Sequence, residues 1–213
     1  MAEGHVADGT AQRSISRSAF LELREEERLV HTGYEFLDEK RVQLATGMLR
    51  ERETYRELRK LFIAAGERAA ATLLEAAATN GLEALQVEPA TMLDEARIAI
   101  DERKFVGLAL IAAHFDAGVE PGGPGSAASG LVQDCIDAFR AVVDTGVRLA
   151  AVTTNLERLM HEYERTERRV RALENVILPE IRSELTMMEE HLDLSEQEEV
   201  IRVRSIRRRD QTL

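Results

Sequence analysis

The sequence predicts an all-α fold: a long antiparallel two-helix coiled coil whose connector holds a small β-hairpin. Three observations lead there. Two apolar stripes, each advancing in alternate steps of three and four, run through most of 18–80 and 131–206. The composition is 44% apolar and 31% charged, with 4% aromatic and no Trp, and Ala, Leu, Arg and Glu dominate it, as in long helices. Glycine and proline collect between the stripes, so the 213-residue chain changes character there.

Residues 1–17 hold Gly, Ser, Thr, Ala and His without periodicity and predict a disordered N-terminal tail. They lack the apolar core of a signal peptide. The first stripe is Phe20, Leu23, Glu27, Val30, Tyr34, Leu37, Arg41, Leu44, Met48, Glu51, Tyr55, Leu58, Phe62, Ala65, Ala69, Thr72 and Ala76, with no Pro among them. It predicts a helix over 18–80, roughly 95 Å long. Asn80–Gly81 supplies its stop, because both residues tolerate the left-handed conformation past a helix end.

The connector is 81–130. Ile98 and Ile100 alternate with polar or small residues, and so do Val106, Leu108 and Leu110, which predicts a β-hairpin with its turn at Asp101–Lys104. Gly118–Gly130 reads as a flexible Gly/Pro loop. The second stripe is Cys135, Phe139, Val142, Gly146, Leu149, Thr153, Leu156, Met160, Tyr163, Glu167 and Val170. It then shifts phase to Leu173, Ile177, Ile181, Leu185, Met188 and Leu192. The steps from Val170 to Ile181 sum to eleven, which relaxes a left-handed supercoil. Pro179 removes a backbone donor and predicts a kink. The helix is expected over 131–206, about 110 Å long, followed by a basic tail at 207–213. Two stripes joined by a reversing connector most simply bury each other within one chain. A parallel homodimer is the competing arrangement.

Several function classes are disfavoured. Lys plus Arg is 28 against 39 for Asp plus Glu, a net charge of −11, which argues against nucleic acid as the main partner. The lone Cys135 excludes an internal disulfide framework and fits a reducing compartment. The longest near-apolar stretch, Phe105–Phe115, is broken by His114 and falls short of the about 20 residues a bilayer needs. The expected place is cytoplasmic, without direct membrane insertion.

Chemistry-bearing patterns are equally sparse. Gly122, Gly123 and Gly125 lack the Lys-Ser/Thr pair of a phosphate loop and read as linker, so no nucleotide cofactor is expected. Glu157 with His161, and Glu190 with His191, lack the further inward carboxylates of a helical metal centre. Cys135 sits on the stripe as a small apolar side chain. The seam charges Glu27, Arg41, Glu51 and Glu167 have two readings, side chains that fix the register of the helices or parts of a surface that meets other proteins. Charge is also polarised. Residues 180–199 hold eight acids against Arg182, whereas 200–213 hold Arg202, Arg204, Arg207, Arg208 and Arg209 against Asp210. In an antiparallel hairpin those arginines lie beside Arg13, Arg17, Arg24 and Arg28. Part of this is a helix C-terminus attracting its own cations. An Arg-rich tip facing acidic partner loops accounts for the bases from the other end.

With these residues in view, the sequence resembles the D subunit of the V/A-type rotary ATPases. The N-terminal likeness runs through Ser16–Arg17, Leu21, Gly33, Leu37, Lys40–Arg41 and Leu44. The C-terminal one runs through Arg168-Arg169-Val170-Arg171-Ala172-Leu173-Glu174 and Ile177-Leu178-Pro179, then Leu185, Leu192, Glu196, Glu198 and the basic end. Arg171 stands where the family has Asn, the terminal lysines are arginines, the aromatic near Val200–Ile201 is missing, and Gly107–Ile111 lacks the family's Pro.

The resemblance implies a non-catalytic rotor shaft that couples ATP synthesis or hydrolysis in the catalytic head to proton or sodium movement through a membrane ring. Its implied partners are the A and B subunits of the head, the F subunit of the stalk, and the funnel-shaped subunit on the ring, with the chain peripheral on the cytoplasmic face. The head-facing tip would be Arg17, Arg24, Arg28, Arg202, Arg204, Arg207, Arg208 and Arg209. Lower-stalk contact candidates are Ile98, Ile100, Phe105 and Val106. The competing reading is a free-standing coiled-coil adaptor, and an enzyme would need a site these patterns do not supply.

Overall fold

The computed structural model describes residues 16–81, 96–118 and 130–210. They form helix α1 (Arg17–Asn80), strands β1 (Arg97–Phe105) and β2 (Leu108–Asp116), helix α2 (Gly130–Ala172), a π-helical turn (Leu173–Ile177) and helix α3 (Leu178–Asp210). Residues 1–15 of the expected N-terminal tail, Arg13 among them, and most of the expected Gly/Pro loop lie outside the described residues; Ser16 and Arg17, expected in that tail, instead cap and open α1, and α3 runs on to Asp210, into the expected basic tail. Long helices in contact plus an antiparallel hairpin are the fold class the stripes predict. The chain divides into two compact units, 1–39 with 166–213, and 40–165.

Helix α1 has both ends written into it. The Ser16 hydroxyl accepts from the Ala19 amide at 3.1 Å, an N-cap that satisfies a donor with no partner inside the helix. Gly81, at φ 81, donates its amide to the Ala77 carbonyl at 3.0 Å and closes the other end.

In the first unit, Leu23 packs against Ile181 and Met188, with Phe20, Val30 and Leu185 around them. Arg17 bonds Glu196, and Arg182 Nε donates to Glu27 at 2.9 Å. Partner numbers fall as α1 numbers rise, so the helices run antiparallel. The same holds in the second unit, where Lys40 Nζ meets Glu162 at 2.5 Å and a Cβ on Gly146 would sit 3.2 Å from the Phe62 ring.

The second unit has a three-sided core. Leu44 of α1, Leu159 of α2 and Leu110 of β2 are fully buried together, with Met48, Phe105, Val106, Leu108 and Tyr163 against them. The hairpin covers a flank that a two-helix seam would leave open. For that reason α2 buries Val152, Asn155 and Leu159, beside the predicted stripe, while Leu149 and Leu156 on it are half-buried and Met160 and Phe139 exposed.

Two further expectations are corrected. Asp101–Lys104 is not a turn but the middle of β1, paired with Ala112–Ala109; the chain reverses at Val106–Gly107, with φ 49 and 83. A two-residue hairpin turn needs positive φ at both positions, which Gly107 supplies freely and Val106 adopts under strain. The charged run suits an exposed strand equally well. The second correction is Ile177, expected on the seam but 37% exposed, while Leu178 is 5% exposed. The Leu178 amide donates to Leu173, five residues back. This one wide turn inserts a residue and moves the stripe by one. It lies directly before Pro179, whose ring clashes with the carbonyl four positions earlier in a regular helix.

Candidate functional site

Three of the four seam charges form internal pairs. Glu27 meets Arg182, and Glu167 meets Arg171 at 2.8 Å. Glu51, 7% exposed, meets Arg103 of β1. Arg41 is half-buried. A carboxylate as enclosed as Glu51 would be strongly destabilising without its cation, so Glu27 and Glu51 fix which element lies beside which, whereas the Glu167–Arg171 pair stays within α2.

At the Arg-rich tip, the structure brings only some of the predicted residues together. Arg17, Arg204 and Arg207 surround one shallow depression with Glu196, Glu199 and Val203. Arg202 and Arg208 are exposed on the same helix, and Arg209 belongs to α3. Arg24 and Arg28 are exposed too, but lie about 10 and 16 Å further along α1, and Arg28 pairs locally with Glu25 at 3.5 Å. Beside the arginines, Val200, Ile201, Val203 and Ile206 are all at least 45% exposed. The end of α3 is therefore a cationic helix with an apolar stripe.

The motif residues divide by role. Lys40 is tied to Glu162, Leu173 opens the π turn, and Pro179 follows it. Arg168, Arg169 and Glu174 are exposed. A Cβ on Gly33 would meet nothing within 4 Å, so nothing among the described residues requires glycine there.

Of the lower-stalk candidates, Ile98 and Ile100 are 57% and 59% exposed, whereas Phe105 and Val106 pack on the Leu44–Leu110–Leu159 cluster. The hairpin is gripped through its backbone. Asn155 Oδ1 accepts from the Ile111 amide and Asn155 Nδ2 donates to the Ile111 carbonyl, both at 2.8 Å. Arg158 donates to the Ala109 carbonyl at 2.7 Å, and Asp144 accepts from the Phe115 amide at 3.1 Å. Side chains of α2 thus cover the outer edge of β2. Gly47 admits the Phe105 ring, which a Cβ there would approach to 2.5 Å. Neither Asn155 nor Gly47 stands out in the sequence; the available signals are a glycine between the seam positions Leu44 and Met48, and an Asn beside a seam.

No group of three or more His, Cys, Asp or Glu capable of holding a metal occurs among the described residues. Within those residues, no helix is long and apolar enough to cross a membrane. An apolar groove between α1 and α2 is lined by Met48, Leu49, Tyr55, Leu156, Met160 and Tyr163.

The family model described as the D subunit of ATP synthase matches residues 19–208. The chain belongs to the ATP synthase D-subunit family. It is 30% identical to the V-type ATP synthase D subunit of Thermus thermophilus over 205 residues, 92% of this chain and 88% of that one. To the A-type ATP synthase D subunit of Methanosarcina acetivorans it is 25% identical over 206 residues, 93% and 98% of the two chains. The match to the A-type D subunit of Pyrococcus furiosus is 38% identical and spans 37% of each chain. Membership makes the chain a D subunit of the V/A-type ATP synthases, a central-stalk component.

Proposed function

We propose that this D subunit is the rotating shaft of its complex, transmitting torque between ATP chemistry in the catalytic head and proton or sodium movement through the membrane ring. The observation that carries the reading is the antiparallel pairing in both units, by which Arg17 near the start of α1 and Glu196 near the end of α3 meet. Helix ends gathered in this way form one tip. Its arginines and exposed aliphatics suit contact with the A and B subunits of the head, while the hairpin suits the funnel-shaped subunit and the apolar groove suits the F subunit of the stalk.

The chain itself is non-catalytic in this reading, and peripheral on the cytoplasmic face. Its part is to make equivalent head interfaces inequivalent as it turns, and each interface shifts only by its differential contact energy with the shaft. A π turn in one helix, without a counterpart in α1, supplies asymmetry. Exposed Arg contacts, each worth about 0–1 kcal/mol, are weak enough to be exchanged during rotation.

Copurification tests it. The tagged chain should recover nucleotide-binding head subunits in fixed stoichiometry, and reconstitution should restore coupling of ATP turnover to ion flux. Recovery of the chain without head subunits overturns the reading.

A further inference from the structure

The hairpin has one covered edge and one open edge. On β2, the backbone groups of Ala109, Ile111 and Phe115 face outward, since they bond Arg158, Asn155 and Asp144. Their cross-strand partners are Lys104, Glu102 and Ile98, and Ile100 opposes Ala113 in the same alternation. In an antiparallel pair such positions are the non-hydrogen-bonded ones, so on β1 too their amides and carbonyls point away from the partner strand. Among the described residues nothing bonds the outward groups of Ile98, Ile100, Glu102 and Lys104. The Ile98 and Ile100 side chains stand exposed along that edge, and the Lys104 ammonium has no carboxylate partner among the described residues.

We propose that the outer edge of β1 is a strand-addition site. Its occupant is an extended segment of another subunit, apolar opposite Ile98 and Ile100 and carrying a carboxylate opposite Lys104. Strand addition supplies affinity through main-chain bonds and selectivity through alternate side chains. A second copy of this chain fits poorly. The self-pairings that keep the edge nearly filled set Asp101 against Asp101, Glu102 against Glu102, or Arg97 against Arg103. Like charges directly opposite each other destabilise a sheet.

This inference rests on the chain working inside a multisubunit complex, and hydrogen exchange on the full-length chain, free and assembled, separates the two. In the free chain the amides of Ile98, Ile100, Glu102 and Lys104 should exchange fast, while those of Arg97, Ala99, Asp101, Arg103 and Phe105 are held by β2. In the complex the fast set should slow about tenfold or more, evening out the alternation. Ile100→Pro, which removes one outward donor at a position where an edge strand tolerates proline, should weaken retention of the hairpin's partner while the free chain keeps the protection of Ala99 and Asp101.

An assembled complex in which the four outward amides stay fast overturns the proposal and leaves the shaft reading standing. Protection already present in dilute free chain, or growing with its concentration, assigns the edge to this chain itself and also overturns it. Failure of the chain to assemble with head subunits sinks both.

Discussion

Asn155 commits both ends of its amide to Ile111, so truncation to Ala leaves a half-buried donor and a half-buried acceptor without partners. The expected loss is about 1–3 kcal/mol, read from denaturant unfolding. A variant as stable as the parent would mean the hairpin is held by its aliphatic contacts alone. Gly47→Ala should also destabilise, because the Phe105 ring cannot stay where it is. Phe105→Leu in the same chain should recover part of the loss, and additive losses in the double variant would refute the steric explanation. Neither residue was legible as important. Their roles depend on a hairpin arriving from elsewhere in the chain, whereas a seam residue such as Leu23 or Leu44 declares itself by local spacing. Val106 shows the opposite conflict: its left-handed φ disfavours a β-branched residue, yet its side chain belongs to the core cluster.

At the level of elements, helix α1 was legible because its spacing agrees from Phe20 to Ala76 and because Ser16 and Gly81 mark its limits. The slip in the second stripe was visible as well, as an eleven-residue interval from Val170 to Ile181, but spacing alone cannot say where a surplus residue sits. The structure places it in Leu173–Ile177, next to Pro179. Val170 and Leu178, both buried, are eight positions apart, one more than a heptad. Deleting the exposed Val176 in a Pro179→Ala chain, which removes the proline's clash, should therefore give a regular α-helix that keeps both on the seam, with helical content preserved and a melting temperature no lower than the parent's. A cooperative transition lost on deletion would show that the wide turn is structurally required. The charged run Asp101–Lys104 cannot place the hairpin's reversal, because a turn and an exposed edge strand carry charge equally well.

For the whole molecule, the resemblance in two separated blocks located the family, and the arginine polarity located one tip, but not which arginines meet. Replacing Arg202, Arg204, Arg207, Arg208 and Arg209 with Ala should weaken docking to the head by about 1–3 kcal/mol, a roughly ten- to hundredfold effect, without changing helicity. Unaltered coupling in the reconstituted complex would remove the tip from the mechanism. Gly33→Ala should raise the free chain's stability by about 0.5–1 kcal/mol, since a methyl group meets nothing there. Weaker assembly alongside that gain would place a neighbour's backbone against the position. The cross-helix ion pairs have a mechanical consequence. A displacement by one helical turn, about 5.4 Å, parts Arg17 from Glu196 and Arg182 from Glu27. The greasy seam is far less particular, since another row of aliphatics would follow. Concentrated salt, which screens these exposed pairs, should therefore leave the first unit's two helices intact but loose in register, with slack between them.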